Sequence, residues 1–278
     1  MKTLPSGDVE SAYVTVRDGT RIAYSLHGDA GRQPRAVLLH SLAMDRDFWR
    51  PVVEQLTPQA SVLTIDCRGH GASDKPVGPY TVEIFAQDVH DVIGSLNFNG
   101  VMIAGASMGG CVSLQFAATY PDATRALGLI DTTAWYGPSA PQDWNVRAEK
   151  AEREGLAPLV DFQTTRWFSD AFRAAHPEVV ARCVDTFLRN DVASFAATGR
   201  MLGAFDGRAL LPQVTVPACV IVGEEDYAAP PPMAQALHAG IPGSTYTLVT
   251  GARHLTPLET PDLVAGELLR LLERTART

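Results

Sequence analysis

Six short, mostly apolar runs are spread along the chain, at residues 36–39, 62–65, 101–104, 126–130, 218–222 and 245–249. A strand with one wet face alternates polar and apolar residues, whereas an uninterrupted apolar run is buried on both faces, as central parallel strands are. Parallel strands cannot be joined by tight turns and need long crossovers, usually helical. The intervening sequence supplies them. Phe85, Val89, Val92, Ile93 and Leu96 form one apolar stripe at helical spacing, and Val264, Leu268, Leu271 and Leu272 form another after Pro261. The pattern predicts an α/β fold with a mostly parallel central sheet covered by helices on both faces. Ahead of it, residues 13–17 and 20–26 flank Asp18-Gly19, which predicts a hairpin closed by a two-residue type I′ turn.

One stretch breaks the alternation. Residues 135–205 carry helical patterns without a convincing strand, and they hold Trp135, Trp144 and Trp167 together with six of the ten phenylalanines. Rings at this density must bury themselves against something. The expectation is one core domain, residues 1–134 and 206–278, interrupted by a helical lid at 135–205 that covers a pocket at the strand ends. A helical subdomain with its own small core is the plainer alternative.

Immediately before that insertion stands Gly105-Ala106-Ser107-Met108-Gly109, between the run 101–104 and a helical pattern leading to Tyr120-Pro121. G-x-S-x-G on a strand–turn–helix is the arrangement that exposes a nucleophilic serine on a sharp, strained turn. Small neighbours let such a turn pack, and the free N–H groups of the following helix face developing negative charge. A serine hydroxyl also needs a base. Of the seven histidines, His27, His40, His70, His90, His176 and His238 lie in hairpin, strand-end, loop or helical settings where structural or solvated roles are the norm. His254 follows the last apolar run on a loop at the sheet edge from which Ser107 emerges. The imidazole needs an orienting carboxylate in turn. Asp226, in Gly223-Glu224-Glu225-Asp226, is the favoured candidate. Asp131 is the rival because it also ends a run, and Glu224 and Glu225 are expected to line the loop.

The formal charge of −8 disfavours a phosphate-tracking surface, and hence nucleic acid as a partner. No apolar run approaches the ~18 residues needed to span a bilayer, and MKTLPSGDVES shows no apolar signal core. A cytoplasmic protein is the expectation, with a homo-oligomer left open. Cys67, Cys111, Cys183 and Cys219 are scattered with no metal-ligand spacing, and they read as buried free thiols. No metal or organic cofactor is called for.

Taken together, His40-Ser41-Leu42, the segment from Asp66 to Ser73, the elbow at Ser107, Gly223 to Asp226, and Gly251 to His254 with Glu259-Thr260-Pro261 resemble the α/β-hydrolase fold. Within that superfamily the chain resembles the 3-oxoadipate enol-lactonase-like group of small ester and lactone hydrolases, through Ser41-Leu42 and Arg166-Trp167-Phe168. It departs from that pattern at Ser41, where many relatives have glycine, and at Ala43, where enol-lactonases tend to have glycine.

The resemblance implies a serine hydrolase acting through an acyl-enzyme, with Ser107, Asp226 and His254 as the triad and the amides of Leu42 and Met108 as the oxyanion hole. Arg166, Trp135 and Trp167 are the candidates for contacting a small-molecule ester or lactone. For Arg166, and likewise for Arg68, a structural ion pair is the plainer alternative, with Asp66 or a neighbour as the partner of Arg68. The same triad serves C–C bond hydrolases of β-diketones. Relatives on this fold also include cofactor-free oxygenases and small-molecule receptors. Haloalkane dehalogenase is disfavoured, because its nucleophile is an aspartate.

Overall fold

A computed structural model of the chain describes residues 12–29 and 31–275. The amino-terminal segment considered for a signal sequence lies outside the described residues. Among the described residues, eight strands form a single sheet. They are β1 (Ala12–Thr15), β2 (Arg21–His27), β3 (Arg35–Leu39), β4 (Ser61–Ile65), β5 (Val101–Ala106), β6 (Thr124–Ile130), β7 (Ala218–Gly223) and β8 (Thr245–Val249). Their spatial order is β1-β2-β4-β3-β5-β6-β7-β8. β2 runs antiparallel to β1 and β4, and every other neighbouring pair is parallel. Each of the six apolar runs is therefore a parallel strand, and those of β4, β5 and β7 are buried throughout.

The two expected helical stripes are the helices Val82–Ser95 and Pro261–Thr275. The second buries Val264, Leu268, Leu271 and Leu272, each contributing about 1.5–3 kcal/mol of apolar transfer. All four cysteines are free and buried.

The hairpin turn differs from expectation. The Val16 amide donates to the Thr20 carbonyl at 2.9 Å and the Gly19 amide to the Val16 carbonyl at 2.8 Å, leaving a three-residue loop, Arg17-Asp18-Gly19. Of Asp18 and Gly19, only Gly19 has a positive φ, +87°. A type I′ turn needs two such residues, whereas a type I turn followed by one left-handed glycine needs one. The Asp18 carboxylate is held in this form by accepting from the Thr20 amide at 3.0 Å and by pairing with Arg68 at 3.0 Å.

Between β6 and β7 the chain forms five α-helices, Ala140–Glu154, Val160–Trp167, Asp170–Ala175, Pro177–Leu188 and Val192–Ala204. The base of this insertion is closed by a bridge between Trp135 and Asp206, and by the Gly207 amide donating to the Ala134 carbonyl at 2.7 Å. Phe187 packs edge-on against both Trp167 and Phe195, so much of the aromatic content serves the insertion's own packing. Among the described residues, no helix is long and apolar enough to cross a membrane.

Candidate active site

Ser107 sits between β5 and the helix Met108–Thr119 with φ +52° and ψ −114°. A serine in that region stores strain on the order of 1–3 kcal/mol, so the surroundings must hold it. They do so through both backbone groups of the serine. The Ser107 amide donates to the Ile130 carbonyl at 2.9 Å, and the Ser107 carbonyl accepts from the Thr132 hydroxyl at 2.7 Å. Glycine is required on either flank because a Cβ on Gly105 would overlap the Gly109 backbone, and one on Gly109 would overlap the Leu39 carbonyl.

The Ser107 hydroxyl lies 2.9 Å from His254 Nε2, and His254 Nδ1 lies 2.8 Å from Asp226 Oδ2. All three side chains are buried. The other Asp226 oxygen accepts from the amides of Ala228 at 2.7 Å and Ala229 at 2.9 Å, which fixes the plane of the carboxylate. Burial pulls the His254 imidazole down, but the charge and hydrogen bond of Asp226, with Asp131 behind it, outweigh that and hold it above the ordinary 6.5. His254 is also braced by the insertion. Its amide donates to the Arg166 carbonyl at 3.4 Å, and the Leu255 amide donates to the Trp167 carbonyl at 3.0 Å. Arg253 reaches the carbonyls of Thr165 and Phe168, both at 3.0 Å, and the Asp170 carboxylate at 2.8 Å.

The rival acid, Asp131, lies elsewhere: it accepts from Thr256 and from the Gly223 amide. Burial, then the neighbouring Asp226 charge, push its carboxyl well above the usual carboxylate range. Glu224 accepts from the Gly251 amide at 2.9 Å and Glu225 pairs with Arg253 at 3.3 Å, so both stay in the loop. Arg68 pairs with Asp88 at 2.5 Å and with Asp18, not with Asp66. Asp66 instead holds Arg46 and accepts from the Ala72 amide at 2.8 Å.

Leu42 stands in a turn after β3 in which the Met44 amide donates to the Ser41 carbonyl at 3.1 Å. The third residue of that turn, Ala43, has φ +59°, a left-handed conformation that costs a non-glycine residue about 1–2 kcal/mol. His40 holds the start of the turn by bonding the Ser41 carbonyl through Nδ1 at 2.8 Å, while its Nε2 accepts from the Cys67 amide at 3.0 Å. Among the described residues, neither the Leu42 nor the Met108 amide donates to a protein acceptor.

A cavity of about 170 Å³ opens over Ser107 and His254, lined also by Leu42, Trp167 and Arg166. Trp135 does not line it; its ring lies under the Arg208 guanidinium at 3.9 Å, at the base of the insertion. The lining also includes residues that the sequence does not single out, among them Tyr136, Asp143, Trp144, Arg147 and Gln163. Tyr136 meets Trp144 edge-on, and its phenol oxygen lies 4.0 Å from Cys111 Sγ. Burial and the adjacent Cys111 push its phenol well above the ordinary value, so it stays protonated.

Arg147 lies over the rings of Trp144 and Phe162, at 4.4 and 4.8 Å, and Arg166 over Phe162 at 4.2 Å. Among the described residues neither arginine pairs with a carboxylate; Arg166 reaches only the Tyr227 carbonyl, at 3.5 Å. Burial and the Arg166 charge pull the Arg147 guanidinium down to about 10, still cationic at neutral pH. Trp144 and Arg147 are three apart on one helix and share a face with Ala140, which was the available signal. No group of three or more His, Cys, Asp or Glu among the described residues is arranged to hold a metal ion.

The sheet order, the strained serine on its elbow and the hydrogen-bonded chain behind it define an α/β hydrolase. The chain belongs to that family: the family described as alpha/beta hydrolase fold matches residues 34–261. It resembles the enol-lactonase group within it. It is 29% identical to 3-oxoadipate enol-lactonase 2 of Acinetobacter baylyi, over 86% of this chain and 88% of that protein. The enol-lactonase of Burkholderia xenovorans LB400 superposes with a TM-score of 0.90 at 34% identity, covering 94% of this chain and 100% of that one. A thermophilic esterase from Thermogutta terrifontis, solved with malate bound, superposes with a TM-score of 0.89 at 28% identity, covering 96% of this chain and 99% of that one.

Proposed function

We propose that this chain is a serine hydrolase of small carboxylic esters or lactones, working through an acyl-enzyme. The unbroken hydrogen-bonded chain from Ser107 through His254 to Asp226 at the floor of the cavity carries this reading. Ser107 Oγ attacks the carbonyl carbon as His254 Nε2 takes its proton. Asp226 keeps the other ring nitrogen protonated and stabilises the imidazolium. The tetrahedral oxyanion is met by the Leu42 and Met108 amides, whose loss individually would cost ~10²–10³ in turnover. His254 then returns the proton to the leaving alkoxide or enolate. A water, deprotonated by His254, releases the acid and restores Ser107.

The helices of residues 135–205 act as the lid. Arg166, with Arg147 beside it, sets two guanidinium groups against the single lining carboxylate of Asp143, and the surplus positive charge matches a carboxylate on the substrate. Enol-lactonases among the relatives and a malate-bound esterase among the structural neighbours support an anionic substrate. Trp167 supplies an apolar wall, whereas Trp135 supports the lid from outside the cavity.

The test compares wild type with Ser107→Ala on p-nitrophenyl esters and a fluorophosphonate. Wild type should release p-nitrophenol and take up one phosphonate, and the variant should do neither while keeping its thermal midpoint. Turnover by Ser107→Ala at the wild-type rate would refute the proposal.

A further inference from the structure

Asn190 follows the helix Pro177–Leu188 in the insertion, yet its side chain reaches the core. Its amide nitrogen donates to the Ala43 carbonyl at 2.8 Å, across 147 positions of sequence. The same NH₂ group also reaches the carbonyls of Thr186 at 2.8 Å and Phe187 at 3.2 Å, which anchors it to the end of its own helix. Ala43 is fully buried and is the left-handed residue of the Ser41–Met44 turn, where glycine or asparagine ordinarily sits. The turn therefore holds a conformation that its sequence disfavours, one peptide away from the Leu42 amide. His40 fixes the start of this turn, and Asn190 is the side chain that holds its third carbonyl.

We infer that Asn190 is a positioning residue for the oxyanion hole: it pins the Ala43 carbonyl and so aims the Leu42 amide at the cavity. The inference rests on the hydrolase reading above, because only an oxyanion formed at Ser107 makes the direction of that amide matter. It also gives the lid a role besides covering the cavity, since its docking completes the electrostatic part of the site. Glycine at position 43 would hold the same turn without strain, so Asn190 compensates for alanine there.

The experiment measures acylation, kcat and KM on a p-nitrophenyl ester, fluorophosphonate labelling and thermal midpoints. The proteins are wild type, Ser107→Ala, Asn190→Asp, Asn190→Leu and Asn190→Leu combined with Ala43→Gly. Both single Asn190 variants lose the donor, and the aspartate keeps the shape. Their kcat and labelling rate should fall about 10- to 100-fold with KM nearly unchanged, the size expected when an oxyanion donor is displaced rather than removed. Glycine at 43 should recover most of that loss. Unchanged kcat in both Asn190 variants overturns the inference. An equal loss that glycine does not recover also overturns it, and leaves Asn190 as a helix cap only. Equal turnover by wild type and Ser107→Ala overturns the hydrolase reading, a result visible before any Asn190 variant is compared.

Discussion

The Asp131 carboxylate accepts twice from Thr256, from its amide at 2.9 Å and from its hydroxyl at 2.7 Å. Its second oxygen accepts from the Gly223 amide at 3.2 Å. Thr256 comes two residues after His254, and Gly223 ends the strand whose loop carries Asp226. One buried side chain thus ties together the two loops that carry His254 and Asp226.

An asparagine at 131 must turn its NH₂ towards one of those three donors. We expect Asp131→Asn to lose about 1–3 kcal/mol of stability in chemical denaturation, the cost of an unsatisfied buried polar group. Its kcat should fall far less than that of Asp226→Asn. A large loss of kcat without loss of stability would move the orienting role to Asp131.

Asp226→Asn keeps the shape of the side chain, but the Ala228 and Ala229 amides hold its oxygen, so its NH₂ faces His254 Nδ1. The imidazole then no longer keeps its proton on that nitrogen. Turnover should drop on the order of 10⁴-fold with the fold intact. A loss below tenfold would show that the 2.8 Å contact does not orient the base.

The raised His254 value fixes the sign of the pH dependence. Only neutral imidazole accepts the Ser107 proton, so activity is lost as pH falls through the His254 pKa. Because Asp226 and Asp131 hold that pKa above 6.5, the acid limb of kcat/KM should have its inflection above 6.5. Removing the Asp226 charge leaves burial to dominate, so the limb of Asp226→Asn should move to lower pH. An inflection at or below 6.5 in wild type would contradict the electrostatics of the site.

Arg147 and Arg166 can be tested by substrate charge. For a half-ester of a dicarboxylic acid, Arg147→Met should raise KM about 10- to 100-fold, the value of a charge-assisted hydrogen bond. For a neutral ester of equal length, KM should hardly change. Equal effects on both substrates would assign Arg147 to packing over Trp144 and Phe162 instead.

The parallel strands and the convergence of Ser107, Asp226 and His254 were legible because each rests on a local rule. An apolar run is a doubly buried strand, and G-x-S-x-G between such a strand and a helix admits few other conformations. The hairpin turn was misjudged because Asp-Gly suits both a type I′ turn and a type I turn with a left-handed glycine. Only the pairing of Val16 with Thr20 decides between them. Arg147, Tyr136 and Trp144 were missed because lining depends on which helical face meets the sheet edge, and an insertion with its own core offers two apolar faces. Trp135 was misplaced for the converse reason, since a ring beside the elbow in sequence can still lie under Arg208. Asn190 gives no local signal at all, because its partner is 147 residues away.

The bridge between Trp135 and Asp206 makes the insertion a cassette with a narrow neck. Evolution, or an engineer, could exchange everything beyond that neck without recutting the sheet, and so change the choice of substrate while conserving the chemistry. A transplanted insertion would have to bring its own Asn190 for Ala43, or arrive on a core with glycine at 43. It would also need acceptors for Arg253, whose contacts with Thr165, Phe168 and Asp170 join the insertion to the loop of His254. Grafts that copy only the cavity lining would then inherit a new specificity and lose rate.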